Sequence, residues 1–278
     1  MATKTSKKVI VGAVVAAVAV VAAVVLSGLF TQSATTDTVT AGKLTIGTGN
    51  PAYEPWVVGN KPESGKGFEA AVAYAVAAKL GFADKDVVWV RTSFDEAIAP
   101  GAKNFDFNLQ QYSITDDRKK SVDFSSPYYS TTQTVITVKG SKADGVTTVA
   151  GLKGLVIGAA SATTSYKAIT DVIKPTAQAQ AFNSNDDAKA ALQSGQIDAL
   201  VVDLPTALYL TAVELTGGKI VGQLPNTAAG DEFGLVLDKG SKLTAKVTEA
   251  VDALRADGTL AAIEEKWLAD YAQAPVLN

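Results

Sequence analysis

Residues Phe105–Tyr129 read FDFNLQQYSITDDRKKSVDFSSPYY. The segment opens with a short apolar run, Phe105 to Leu109, that predicts a buried strand. It turns polar through Gln110, Gln111, Tyr112 and Ser113. Thr115 then stands where a helix N-cap belongs. Asp116 and Asp117 fall in the first turn, where free backbone N–H groups favour acids. Arg118 closes that turn three residues after the cap and can aim its guanidinium back at the polar strand end. A planar fork with five donors suits a carboxylate better than any other side chain. An isolated arginine in this setting is more simply read as a surface partner of Asp116, Asp117 or Asp123.

On the upstream side, Leu44 to Thr48 alternates like a strand and breaks at Gly47, Gly49, Asn50 and Pro51. Tyr53, Pro55 and Trp56 occupy the following loop, either lining a ligand or capping the core. Phe68 to Leu80 is Ala-rich with helical period and stops at Gly81. Val87 to Arg91 predicts a strand, and Ser93 to Lys103 a helix interrupted by Pro100 and Gly101. Strands alternating with helices predict an open parallel sheet with ligands at the carboxyl ends of its strands. Gly49, Phe94 and Gln111 fall at or just beyond such ends.

The pattern restarts downstream of Tyr129. Thr134 to Val138 and Leu155 to Gly158 predict strands, the second feeding Ser161, Thr163 and Thr164 at the start of a helix that runs to Ile173. Free N–H groups beside hydroxyls make an anion site, or the hydroxyls simply cap the helix. Ile197 to Val202 ends at Asp203, placed at the ligand edge of a sheet or as a cap for a helix at Leu204–Pro205. Lys219 to Leu224 predicts another strand. Phe233 to Leu237 begins a return, followed by helices at Leu243 to Asp257 and Thr259 to Tyr271.

The 278 residues suffice for two ordinary lobes. Lys4, Lys7 and Lys8 precede an uncharged Val/Ala-rich run from Val9 to Phe30, the layout of a positive n-region and an apolar h-region. The run approaches the ~20 residues that span a bilayer, so an uncleaved anchor and a cleaved signal peptide both fit. Lysines ahead of the run put the body outside the cytoplasm. There is no cysteine and no histidine, which excludes disulfides and removes the commonest metal ligand and general base. The formal net charge is −3, and more negative beyond the N-terminal lysines, which argues against a nucleic-acid partner.

SITxxR at Ser113–Arg118, followed by VDFSxPYY at Val122–Tyr129, resembles the signature of the type II amino-acid-binding proteins of ABC importers, the bacterial family 3 solute-binding proteins. The resemblance continues in order through LTIGT at Leu44, GFEAAVAYAVAAKLG at Gly67, LKGLVIGAASATTS at Leu152, DALVVD at Asp198 and LRADGTLAAIEEKW at Leu254. It implies an α/β fold of the two-lobed type II periplasmic-binding-protein kind, each lobe a mostly parallel sheet flanked by helices. The expected boundaries are 1–30 for the signal or anchor, 31–42 for a linker, 43–130 and 229–278 for lobe 1, and 131–228 for lobe 2. Hinges are expected near Tyr129–Thr131 and Ala228–Asp231.

Arg118, Ser113 and Thr163 are placed to take a ligand α-carboxylate, with Thr164 a further ligand-binding candidate at the same helix start, and the resemblance gives Asp203 to the α-ammonium. Tyr53, Trp56, Phe94 and Gln111 would surround the ligand side chain. Asn50 stands where an acid is common in binders of cationic amino acids, which weighs against a strongly arginine- or lysine-selective pocket. Aromatics beside amides suggest a polar, uncharged or weakly charged side chain, glutamine among the candidates. Relatives carry Gly-Thr where this chain has Ala162-Thr163. The function implied is a monomeric, cofactor-free, extracytoplasmic protein that delivers an amino acid to an ABC permease. Cyclohexadienyl dehydratases look similar, with Glu54 and Glu232 as the acids one would nominate, and a tethered sensor is a further alternative.

Overall fold

Leu44–Gly49 (β1) is buried at every residue, as a strand covered on both faces must be. The computed structural model describes residues 37–225, 231–271 and 273–278. The expected signal or anchor lies outside them, and among the described residues no helix is long and apolar enough to cross a membrane.

After β1 the chain forms helix Phe68–Lys79 (α1), strand Val87–Thr92 (β2), helix Phe94–Ile98 (α2), and the short strands Phe107–Asn108 (β3), Val122–Phe124 (β4) and Tyr129–Thr131 (β5). The expected strand at Phe105–Leu109 shrinks to β3, because Asp106 turns away to accept from Thr45 N–H at 2.6 Å and Val39 N–H at 2.7 Å. Ser93 starts α2 with a capping box to Glu96, and the helix stops before Pro100. Gly67, just before α1, has φ +104° and sits where a Cβ would lie 2.4 Å from the Trp56 carbonyl. Glycine thus lets the Tyr53–Trp56 loop press on the helix start, where Trp56 and Pro55 carbonyls accept the first helical N–H groups.

Beyond β5 come Gln133–Val138 (β6), Ile157–Ala160 (β7), helix Thr164–Ala168 (α3), Gln180–Phe182 (β8), helix Asn185–Gln193 (α4), Ala199–Asp203 (β9), helix Leu204–Tyr209 (α5) and Gly218–Gln223 (β10). The helix expected to reach Ile173 changes at Ile169 into a π turn. Asp231–Phe233 (β11) and Val236–Asp238 (β12) return to the first lobe, closed by helices Thr244–Ala256 (α6) and Thr259–Leu268 (α7).

Strand order is β2-β1-β3-β12-β4 in one sheet and β10-β6-β9-β7-β8 in the other. Only half the pairings are parallel. Each sheet holds one strand that enters from the other lobe, β12 and β6, and each is antiparallel to both neighbours. The mostly parallel expectation missed these, because a strand arriving through a hinge runs against those built by helical crossovers. The crossovers themselves pair: β11 lies antiparallel to β5, Asp231 opposite Thr131 and Phe233 opposite Tyr129. Ala228 to Gly230 of the second expected hinge lie outside the described residues.

Each sheet is packed on both faces. In the first lobe Trp56, Phe68, Phe107 and Phe233 are fully buried, each contributing ~1.5–3 kcal/mol from area removed from water. The chain end departs from the expected boundary. The sequence groups residues 229–278 with lobe 1, yet Leu277 is buried in the second lobe's core and Val276 bridges to Gln223. β10 is an edge strand, and the tail covers that edge.

Candidate functional site

A cavity of about 140 Å³ lies between the lobes. That is many times the ~10–15 Å³ a cavity needs to hold a single water, so it admits a small polar ligand. Tyr53, Trp56, Phe94, Gln111 and Arg118 line it from the first lobe, and Thr163, Thr164 and Asp203 from the second. Ser113 is not part of the lining but hydrogen-bonds to Arg118 and Thr164, which are.

Thr115 Oγ1 accepts from Arg118 N–H at 3.2 Å, but the short helix expected over Asp116–Arg118 is replaced by a 3-10 turn over Arg118–Lys120 whose N-cap residue is Asp117. The guanidinium points inward, 9% exposed, not out towards the neighbouring aspartates. Nη1 donates to Ser113 O at 2.7 Å and Nη2 to Ala162 O, on the other lobe, at 2.8 Å. The Phe94 ring lies 5.3 Å below it. Burial lowers the Arg118 pKa, which the carboxylates and Tyr112 nearby oppose. The hydroxyls expected to help are already engaged. Thr163 Oγ1 caps α3, accepting from Tyr166 N–H at 3.1 Å and donating to Ala160 O at 2.6 Å. Ser113 Oγ meets Thr164 Oγ1 across the lobes at 3.0 Å.

Asp203 makes no side-chain cap for α5, where Pro205 presets the first turn. Its Oδ1 accepts instead from Gln133 Nε2 at 2.8 Å, and the part of its surface left open lines the cavity. Burial, and then the charge of Asp231, push its carboxyl up to about 8. Arg118 and Asp203 thus stand on opposite walls, a guanidinium supplied by one lobe and a carboxyl by the other.

Residues 44–270 match the bacterial extracellular solute-binding proteins, family 3. The chain belongs to this family. The ABC transporter glutamine-binding protein of Bacillus subtilis is 30% identical over 212 residues, covering 74% of this chain and 75% of that one. A solved ancestral arginine-binding protein bound to glutamine is 32% identical with a TM-score of 0.68, over 82% of this chain and 98% of that chain. A solved ancestral amino-acid-binding protein, described as a precursor of cyclohexadienyl dehydratase, is 30% identical with a TM-score of 0.67, over 81% and 95%. The two-lobed type II fold of the family is the fold seen here.

In this solute-binding protein several residues play parts that sequence reading missed. Glu69, the only acid of α1, is fully buried against the cavity. It accepts from Gln111 N–H at 2.7 Å, from Gln111 Nε2 at 2.5 Å and from the Tyr128 hydroxyl at 2.5 Å. Burial raises its pKa to about 7, with those three bonds opposing the rise. They hold Gln111 in a left-handed conformation, φ 53°. The one sequence signal was a lone acid in an otherwise Ala/Val face. Trp56 lines the cavity but is also core, edge-on to Phe68, Tyr129 and Phe233. Its Nε1 donates across the lobes to Thr206 Oγ1 at 2.9 Å. Tyr53 is half-buried, its hydroxyl pushed up to about 12 by burial and then by the Asp186 charge. The glutamates nominated for a dehydratase lie elsewhere. Glu54 accepts from Gly59 N–H, and Glu232 lines a separate groove beside the hinge.

Proposed function

We propose that this solute-binding protein captures a polar, uncharged amino acid outside the cytoplasm, glutamine first among the candidates, and delivers it to an ABC importer. The observation that carries the reading is the placing of Arg118 and Asp203 in the lining of one interlobe cavity, each on its own lobe. A zwitterion that touches both favours the closed arrangement, because only closure brings its two charges to their partners. Arg118 takes the α-carboxylate and Asp203 the α-ammonium. The side chain lies towards Tyr53, Phe94, Gln110 and Gln111. Glu69 is no free counter-ion for a cationic side chain, since three protein donors already occupy it. Asn50, rather than an acid, lines the same end. Relatives named for glutamine and for arginine support an amino acid as the ligand. The basic residues ahead of Val9–Phe30 support export, with the segment retained as an anchor or cleaved as a signal.

A thermal-shift screen against the twenty amino acids tests this. A ligand at 100 times its Kd adds ~2.7 kcal/mol, an unmistakable shift. Silence from all twenty would overturn amino-acid capture. Arginine as the tightest ligand in calorimetry would overturn the uncharged preference, and turnover of prephenate or arogenate would overturn transport.

A further inference from the structure

Gln133 opens β6 directly after hinge strand β5, and its side chain is 1% exposed. Antiparallel register sets it opposite Asp203 on β9. Its Nε2 donates to Asp203 Oδ1 at 2.8 Å, and the same nitrogen meets Asp231 Oδ2 and, at 3.4 Å, Thr164 Oγ1. Asp231 heads β11, the returning hinge strand, opposite Thr131. Thr131 and Gln133 are two residues apart, so they face the same side of the extended chain, and the amide can reach both carboxylates.

An amide nitrogen carries two hydrogens. Three acceptors, two of them carboxylates, compete for those two. Gln133 Oε1 is buried and has no partner among the described residues. A neutral amide therefore bridges two carboxylates that repel one another in an enclosure. A proton, or an incoming cation, is what the arrangement lacks.

We propose that Asp231 is a positioning residue for the ammonium end of the site: acting through Gln133 and its own charge, it makes Asp203 hold a proton that the ligand's ammonium displaces. This rests on the reading that Asp203 receives the α-ammonium. On capture the Asp203 O–H bond breaks and its proton leaves to solvent. The carboxylate then accepts from the ammonium, so one positive partner replaces another and no covalent bond forms. Other groups act on Asp203 as well. Arg118, from the turn before β4, favours the ionised form and Glu69, from α1, opposes it. The Tyr128 and Tyr129 hydroxyls, from β5 and the segment before it, also sense its charge. Burial is the largest influence and Asp231 the next, and the outcome is a carboxyl that titrates at about 8.

Calorimetric titration of the full-length protein decides the matter, with L-glutamine as probe, or L-arginine if that binds more tightly. Running it at pH 7 in phosphate and in Tris reads proton release, because the two buffers differ in ionisation enthalpy. The parent should release close to one proton per ligand, and its affinity should rise about fiftyfold from pH 6 to pH 8, as linkage to a group at about 8 requires. Asp231→Asn keeps an acceptor for Gln133 but removes the charge. It should release clearly less at pH 7 and shift the rise to lower pH, whereas Asp231→Glu should behave as the parent does. Glu69 titrates near 7, and the difference between parent and Asp231→Asn isolates Asp203 from it. No proton release by the parent, or equal release by Asp231→Asn, would overturn the proposal. If Asp231→Asn fails to fold, Asp231→Ser, which also removes the charge, takes its place in the same comparison. Unchanged binding by Asp203→Asn would instead overturn the ammonium assignment on which the proposal rests.

Discussion

Replacing Arg118 by alanine removes the positive wall of the cavity. The guanidinium has five N–H donors, of which one serves Ser113 O and one Ala162 O. Three remain, enough for a carboxylate gripped by two parallel bonds. Charge-assisted bonds contribute ~1.5–3 kcal/mol each, so Arg118→Ala should cost ~3–5 kcal/mol of binding, or roughly two to four decades in Kd. Arg118→Lys should recover only part, since an ammonium cannot reproduce the fork. The folded state loses something too, because two backbone carbonyls lose a donor, at ~1 kcal/mol each. The variant should therefore melt lower yet fold at room temperature. Calorimetry at pH 7 with an amino acid that binds the parent measures the loss. A ligand amidated at the α-carboxyl separates the two effects. It should bind the parent weakly and lose little more on Arg118→Ala, whereas loosened lobe contact would weaken both ligands alike. Binding of the free amino acid within threefold of the parent would refute the assignment of Arg118.

Three further outcomes are expected. Asp203 titrates at about 8 in the folded protein against an ordinary 3.8, so its stabilising share is complete below about pH 4 and is lost as pH climbs through about 8. Asp203→Asn should then abolish tight amino-acid binding. In urea at pH 8.5, without ligand, it should be more stable than the parent by on the order of 2–5 kcal/mol, a gap that closes at pH 4. Ala162 has φ 55°, a left-handed conformation that costs an alanine ~1–2 kcal/mol, so Ala162→Gly should raise stability by about 1 kcal/mol in thermal melts and leave affinity unchanged. Glu69→Gln puts an NH₂ group against Gln111 Nε2 and cannot satisfy all three donors. Denaturation should show a loss of ~1–3 kcal/mol, and any titration of stability near pH 7 should disappear with the carboxylate.

The short-range features of this chain were legible because their causes lie within a few residues of one another. Thr115 holding the Arg118 N–H, Ser93 opening α2 and Thr163 opening α3 are each set by a hydroxyl and an N–H three residues on. The alternation that places Gly49 and Asp203 at strand ends is equally local. The resemblance over residues 44–270 then supplied the two lobes. Sequence could not show that Trp56 would join lobes through Thr206, 150 residues away, or that Gln133 would bridge to Asp231, 98 residues away. Nor could it show that Leu277 would cross back to the second sheet. In sequence Glu69 is one more acid in the first turn of a helix, and Asp203 a strand-end carboxylate at the ligand edge or a cap. Their proton affinities depend on what encloses them: water excluded by both lobes, a second carboxylate from a hinge strand, and a fixed number of donors. Capping and periodicity are properties of neighbours along the chain, whereas enclosure exists only once distant segments have packed, and so only the tertiary structure decided it.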